Sequence, residues 1–268
     1  MKVIGKEIGD DLNSMFGLIE GRASAADRAV EVVAFEGQGL SDVHWTAKKV
    51  IISIHSGVPT HSIPHVLAVA LQHVRQALDG YPTVTKPRGR DLEGAELVRG
   101  ALRELVLEPD AEVLIGPMGL DRTWENEQRH QGYKSLLENP PADWDEPDTL
   151  GNIFIALQYA RLATTHPAQM WKALQKRTQQ VLPHAAERGE LALSVLKRRR
   201  WGSARACLDS FLYLRQELGL EDIVQIEDGA GNVYTSLPES PTVTGPRFRD
   251  VEPQSDPYGM PPGFGAEG

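Results

Sequence analysis

Four histidines lie within 19 positions of the N-terminal half: His55, His61, His65 and His73. Imidazole is the commonest side chain that binds metals, so this density raises the hypothesis of a zinc site. The spacing does not favour it. His61 precedes the helix predicted here, and His65 and His73 are about 80° apart around a helix of 3.6 residues per turn. Because a zinc site needs three or four converging ligands, the pattern favours surface or hydrogen-bonded histidines.

The segment around His73 is predicted to be a helix at the centre of the fold. A strand predicted from Trp45 to His55, which contains the β-branched run Val50–Ile54, is followed by a short loop and a helix from Ser62 to Asp79. Ser62 is placed to cap this helix, Pro64 fits its first turn, and Gly80 supplies the stop. The apolar residues of the helix cover most of its surface, which is typical of a helix buried between other elements.

This order of strand, loop and apolar helix resembles small bacterial zinc-metallopeptidase domains of the zincin type. In that family the helix carries H-E-x-x-H, whose two histidines bind zinc and whose glutamate is the general base. The matching stretch here runs from Val69 through Ala70, Leu71 and Gln72 to His73. His73 matches the second histidine, while Val69 and Ala70 replace the first histidine and the glutamate. Since valine cannot bind zinc and alanine cannot accept a proton, the resemblance implies that the peptidase activity is lost.

The resemblance covers about residues 28–120. The segment Val74–Pro82 resembles the end of such a helix and its exit. The next predicted helix, from Asp91 to Leu107, ends before Pro109. It stands where zincins place their third, acidic ligand, and the candidates for that place, left open here, are Glu93, Glu96 and Glu104.

What remains of such a domain would be a groove beside an edge strand, shaped to take an extended peptide by strand addition. The residues expected along this groove are Ile52, Ile54, His55, Val69 and His73. The preferred prediction is therefore a non-catalytic, zincin-like interaction or regulatory protein, in other words a pseudoenzyme. It would have a protein partner and no cofactor.

Two alternatives stay open. The first is an active metal-dependent hydrolase with an atypical site formed by His65, His73 and Glu104. The second is a helical adaptor, unrelated to zincins, that belongs to a larger assembly. Metal content separates the first alternative from the others, and the packing of Val69 and His73 against a strand edge separates the second.

Taken together, the predicted helices and strands indicate an α+β, mostly α-helical protein. A small N-terminal sheet packs on the motif-bearing helix, and a helical bundle with a C-terminal β-hairpin follows. The predicted divisions are a zincin-like domain at 1–138, a helical subdomain with the terminal hairpin at 139–236, and a tail at 237–268. The tail has seven prolines and five glycines among 32 residues and few aliphatic ones, so we expect it to be disordered.

Composition excludes several classes of function. A net charge of −9 argues against nonspecific nucleic-acid binding, and no apolar run approaches the roughly 20 residues of a membrane span. The single cysteine, Cys207, cannot form an internal disulfide, and no secretion signal is visible, so a cytoplasmic location is expected. The basic run Lys197–Trp201 is interpreted as a solvated helix end.

Overall fold

Eight α-helices and eight short strands make up the part of the chain that the computed structural model describes, which is residues 2–37, 39–89 and 92–234. The predicted class, α+β and mostly α-helical, is confirmed. In chain order the elements are β1 (Lys2–Val3), β2 (Lys6–Glu7), α1 (Asp10–Ala25), β3 (Ala29–Phe35), β4 (Ser41–Trp45), β5 (Lys49–His55), α2 (Ile63–Leu78), β6 (Thr83–Thr85), α3 (Ala95–Ile115), α4 (Thr123–Leu136), α5 (Leu150–Thr165), α6 (Ala168–Val181), α7 (Pro183–Arg199), α8 (Ala204–Glu217), β7 (Gln225–Glu227) and β8 (Val233–Tyr234).

The N-terminal sheet has the strand order β3-β5-β4, with β3 parallel and β4 antiparallel to β5. The sequence predicted one strand from Trp45 to His55, but the structure has a tight turn between β4 and β5. The side-chain oxygen of Thr46 accepts hydrogen bonds from the amides of Lys48 and Lys49, which closes this turn. β5 is consequently the central strand, and β4 is an edge strand.

Helix α2 lies between the N-terminal sheet on one side and α3 on the other. Eleven of its 16 residues are buried, which fits the central position predicted from its apolar surface. Its start differs from the prediction. Ser62 makes no side-chain cap, because its backbone angles are already helical, whereas a capping residue has extended angles. Its amide bonds to the Pro59 carbonyl in a preceding turn.

Helix α3 continues past the proline at which it was predicted to stop. Pro109 lies inside the helix and cannot donate to the carbonyl four residues before it. Tertiary contacts hold the helix on both sides of this break. The side-chain Nε2 of Gln76 donates to the Leu107 carbonyl at 2.9 Å and to the Asp110 carboxylate at 3.0 Å, and Ala111 is fully buried. The local signal from proline is overridden by packing against α2.

One buried cluster joins the two predicted segments 1–138 and 139–236, because residues of α3 pack in it with α5, α7 and α8. A second cluster, formed by α1, α2 and the N-terminal sheet, lies within the first segment. After α2, β6 pairs with β7, and β7 pairs with β8 in the predicted C-terminal hairpin. The predicted tail, 237–268, lies outside the described residues.

Helices α5 and α7 pack tightly at Gly189. A Cβ atom at this position would lie 2.5 Å from Cδ1 of Tyr159. We therefore expect Gly189→Ala to destabilise the fold by about 1–3 kcal/mol through overpacking, measured by urea denaturation. Gly132→Ala on α4 is the matched control, since a Cβ there would meet nothing within 4 Å. That change should stabilise by up to about 1 kcal/mol. Equal effects at the two glycines would contradict the close packing.

Candidate functional site

A cleft of about 370 Å³ lies between β4, α2, the start of β6 and α3. β4 forms one wall, and Val69 and His73 of α2 form the adjacent one. Val69 and His73 face the same cleft because residues four apart lie on one face of a helix. Charged side chains from α3, α4 and α5 also line the cleft, so it combines apolar walls with a charged bottom.

The wall formed by β4 is an edge strand whose hydrogen-bonding pattern can be read from its two ends. At one end the Leu40 carbonyl accepts a hydrogen bond from the His55 amide at 2.9 Å. At the other end the Thr46 amide donates to the Lys49 carbonyl at 2.8 Å. Main-chain pairing alternates along an antiparallel ladder, so the even-numbered residues of this segment bond to β5.

The odd-numbered residues of β4 therefore direct their main-chain groups away from the sheet. These residues are Ser41, Val43 and Trp45, and all three line the cleft. No strand of the described part of the chain pairs with this side of β4. The cleft wall thus presents a row of outward N–H and C=O groups of the kind that binds an added strand.

The hydrogen bonds of His73 fix its tautomer. Its Nδ1 lies 2.9 Å from Oε1 of Gln76. The Gln76 nitrogen donates to Leu107 and Asp110, so the Gln76 oxygen must be the atom that faces His73. An amide oxygen only accepts, hence neutral His73 carries its proton on Nδ1 and a lone pair on Nε2. Burial lowers the pKa of His73, which favours this neutral form.

Glu108 is the buried centre of the charged group at the bottom of the cleft. Its side chain is 2% exposed and lies 2.6 Å from both the Arg129 and the Arg161 guanidinium groups. Arg161 also binds Glu104 at 2.5 Å, and Glu104 is 40% exposed at the cleft. Burial alone would raise the pKa of Glu108, but the two arginines hold the pKa at about 2.

His65 is buried in a second ionic group behind the cleft. Its Nδ1 lies 2.6 Å from Glu125, and its Nε2 lies 3.4 Å from Glu112, which also binds Arg122 at 3.1 Å. Burial alone would lower the pKa of His65, but the hydrogen bonds and charges of Glu112 and Glu125 raise it to about 9. His65 is therefore a cation at neutral pH.

Arg129 joins the two ionic groups into one network. One of its guanidinium nitrogens contacts Glu108 at 2.6 Å, and the other lies 3.6 Å from Glu125. With His65 protonated the network has four positive and four negative side chains, so its charges balance. Its members are His65, Glu104, Glu108, Glu112, Arg122, Glu125, Arg129 and Arg161.

The residues predicted along the groove are only partly brought together. Val69 and His73 line the cleft. Ile52 and Ile54 do not; they are 0% and 1% exposed, because β5 is the central strand and these side chains face the core. His55 accepts a hydrogen bond from the Gly57 amide and packs edge-on against Phe35, away from the cleft lining. The strand that borders the cleft is β4.

The ligands of the atypical metal site do not converge. His65 is held by Glu112 and Glu125, and Glu104 is held by Arg161. In the described ranges, no group of three or more His, Cys, Asp or Glu side chains is placed to hold a metal ion. Of the three candidates for a third zincin ligand, Glu104 lines the cleft, whereas Glu93 and Glu96 are exposed near the start of α3 and do not line it.

Glu108, Arg129 and Arg161 are central to the site and were not predicted. One signal could have found Glu108. Glu104, Glu108 and Glu112 recur every four residues, which places three carboxylates on one face of a largely apolar helix. The prediction that the helix stops before Pro109 concealed this repeat. The arginine partners come from α4 and α5, which no local pattern links to α3.

Other residues with possible chemistry have structural environments. Cys207 is fully buried, and burial raises the pKa of its thiol to about 12, so it stays protonated. The basic run Lys197–Trp201 includes the end of α7, where the Arg199 guanidinium stacks 3.5 Å from the Tyr213 ring centre. None of the described helices is long and apolar enough to cross a membrane.

No known protein-family model matches this chain, no curated protein shows significant sequence similarity to it, and no solved structure matches it significantly. The function is therefore argued from the cleft and its residues.

Proposed function

We propose that the cleft binds an extended peptide segment of a protein partner, which adds as a strand to the free edge of β4. The observation that carries this proposal is the row of outward main-chain groups at Ser41, Val43 and Trp45 along the cleft wall. Such groups give affinity for any extended chain, and the pockets beside them give specificity for alternate side chains. The role is that of a binding or regulatory module.

The cleft residues support a non-catalytic role of the kind that the zincin resemblance implies. Val69 offers no metal ligand at the wall, and Ala70 is fully buried and has no titratable group. The two carboxylates in the lining of α3, Glu104 and Glu108, are both paired with Arg161. A carboxylate held in an ion pair is a weak general base. Neutral His73, by contrast, keeps a lone pair on Nε2.

The chemistry of the cleft favours particular side chains in the bound peptide. Residues of an added strand alternate between the cleft and solvent. Those that enter the cleft meet an apolar wall at Val43 and Val69 and the exposed Arg103 guanidinium beyond it. Arg103 makes no ion pair within the described residues. We therefore expect bound peptides to alternate, with apolar and acidic residues at the positions that face the cleft.

The test is selection of random peptides on the full chain, followed by affinity measurements on Val43→Pro and Val43→Ala. Proline removes the outward N–H without breaking the pairing to β5, because an edge strand accepts proline where the N–H faces outward. Alanine keeps that N–H and removes more of the side chain. We expect Val43→Pro to weaken binding about tenfold, while Val43→Ala stays within about threefold.

Two outcomes would contradict strand addition. The first is that Val43→Pro and Val43→Ala weaken binding equally, which would assign the effect to side-chain packing. The second is that N-methylation of the selected peptide has the same effect at every position, since strand addition predicts alternate sensitive and tolerant positions. Binding of a natural partner that is unchanged in Val43→Pro would favour the helical adaptor alternative.

A further inference from the structure

Two segments of the chain carry nearly the same twelve residues. Residues 82–93 read PTVTKPRGRDLE, and residues 241–252 read PTVTGPRFRDVE. Nine of the twelve positions are identical. The first copy includes β6, and the second lies in the tail, outside the described residues. The structure shows what the first copy binds and so indicates what the second copy is able to bind.

The first copy binds the neighbouring strand β7. Thr83, Val84 and Thr85 pair antiparallel with residues 225–227, and Val84 packs against the core shared by α3, α5, α7 and α8. The side-chain Nε2 of Gln225 donates to the Thr85 hydroxyl at 3.4 Å. Each of these contacts depends on the main chain or on a side chain that the second copy repeats: Thr242, Val243 and Thr244 stand in the same order.

The resident strand is short enough to be replaced. β6 has three residues, and a strand of that length makes few ladder hydrogen bonds. Val84 is the only aliphatic side chain among the three, so the second copy offers β7 an equivalent ladder and an equivalent apolar anchor in Val243.

We propose that residues 242–244 of one copy of the chain take the place of β6, Thr83–Thr85, on β7 of a second copy. The partner is a second copy because of the connection. β6 and β8 are both antiparallel to β7 and hence parallel to each other, with Val84 and Tyr234 both opposite Ile226. Parallel neighbours of one strand require a crossover of about a dozen residues or more, whereas seven residues, 235–241, separate Tyr234 from Thr242.

The exchange is reciprocal, since each copy has one tail and one β7. It forms a closed dimer in which the same surfaces meet twice. Its consequence for the cleft follows from position, because Tyr81, Pro82 and Thr83 line the cleft beside α2. Displacing β6 removes that part of the lining and widens the space next to His73. The exchange itself involves only β7 and does not depend on the proposed peptide binding.

Cross-linking between two variants of the full chain, each with one added cysteine, tests this exchange. One preparation carries Glu227→Cys, and the other carries Thr242→Cys together with an added tag that changes its size. Thr83 lies opposite Glu227, so Thr242 in the same place would face the new cysteine. Cys207 is buried and does not compete. The preparations are mixed, oxidised with glutathione disulfide and separated by size without reductant.

We expect a mixed disulfide-linked dimer in about tenfold higher yield than with Ser255→Cys, which lies beyond the repeat. Val243→Asp in the tail should reduce the yield about tenfold, because it would bury a charge against the core. Val84→Asp in the Glu227→Cys chain should raise the yield, since it weakens the resident strand. Equal yields for Thr242→Cys and Ser255→Cys would overturn the proposal. A chain carrying both cysteines that links only to itself would overturn the assignment to a second copy.

Discussion

Replacing Glu108 by alanine is expected to destabilise the protein by about 3–5 kcal/mol at neutral pH. Glu108 is 2% exposed and neutralises two guanidinium groups, those of Arg129 and Arg161, which are only 16% and 15% exposed. Its removal leaves Arg161 paired only with the 40% exposed Glu104, and Arg129 with only a longer contact of 3.6 Å to Glu125. Removing one partner of a buried ion pair is more destabilising than removing both, because the desolvated charge remains.

Glu104→Ala is the matched control for this prediction. Glu104 is on the same helix, binds the same Arg161 and is 40% exposed. Solvent screens such a pair, so its removal should destabilise by less than about 1 kcal/mol. Urea denaturation followed by circular dichroism measures both variants. Similar losses at Glu104 and Glu108 would show that burial does not determine the strength of these pairs.

The loss of stability caused by Glu108→Ala should also depend on pH in a defined direction. The pKa of Glu108 is lowered from an ordinary value of 4.5 to about 2. Its contribution to the free energy of unfolding is therefore complete above about pH 4.5 and disappears as the pH falls towards 2. The difference between wild type and Glu108→Ala should be about 2 kcal/mol smaller at pH 3 than at pH 7. A difference that does not change with pH would contradict an ionised Glu108.

His65 should make the protein less stable in mild alkali. Its pKa is raised from an ordinary value of 6.5 to about 9 by Glu112 and Glu125, against the effect of burial. A raised pKa stabilises the folded state fully below about pH 6.5, and this contribution is lost as the pH rises through 9. The shift corresponds to about 3 kcal/mol between these limits. Wild type should lose that amount between pH 6 and pH 9.

His65→Gln separates this titration from all others. The variant should be less stable than wild type at pH 6, and its further loss between pH 6 and pH 9 should be about 3 kcal/mol smaller. His61→Gln is the control, since His61 is exposed and lies four positions before His65. His61→Gln should lose as much stability as wild type between pH 6 and pH 9. A His65→Gln variant with the same alkaline slope as wild type would show that His65 is not the group that titrates.

Local patterns were sufficient for most helices and for one wall of the cleft. The apolar surface of residues 62–79 predicted a central helix, and the spacing of Val69 and His73 placed them on one face. Which strand borders that face was not predictable from local pattern. It depends on β4 pairing with β5 through a turn at Thr46, whereas the β-branched run alone extended the strand through that turn.

The charged residues at the bottom of the cleft could not be predicted, because they come from separate helices. Arg161 and Glu108 are 53 positions apart and meet only because α5 packs on α3. Each arginine and glutamate taken alone is typical of a solvated helix face. Proline at 109 also truncated the predicted helix before Glu108. Burial of these charges is a property of the assembled fold, and the composition of each helix gives no sign of it.

The ionic network that joins α2, α3, α4 and α5 also determines how the protein can be divided. None of these helices can be buried with its charged residues unless the others supply the opposite charges. Fragments that end near residue 138 contain Glu108 and Arg129 but lack Arg161, so they would bury only some of the charged side chains of the network. The chain should therefore unfold cooperatively as one unit. Separation of the chain within the acidic, proline-rich residues 139–147, by proteolysis or by expression as two pieces, should yield two fragments that are unfolded apart and regain structure only when combined.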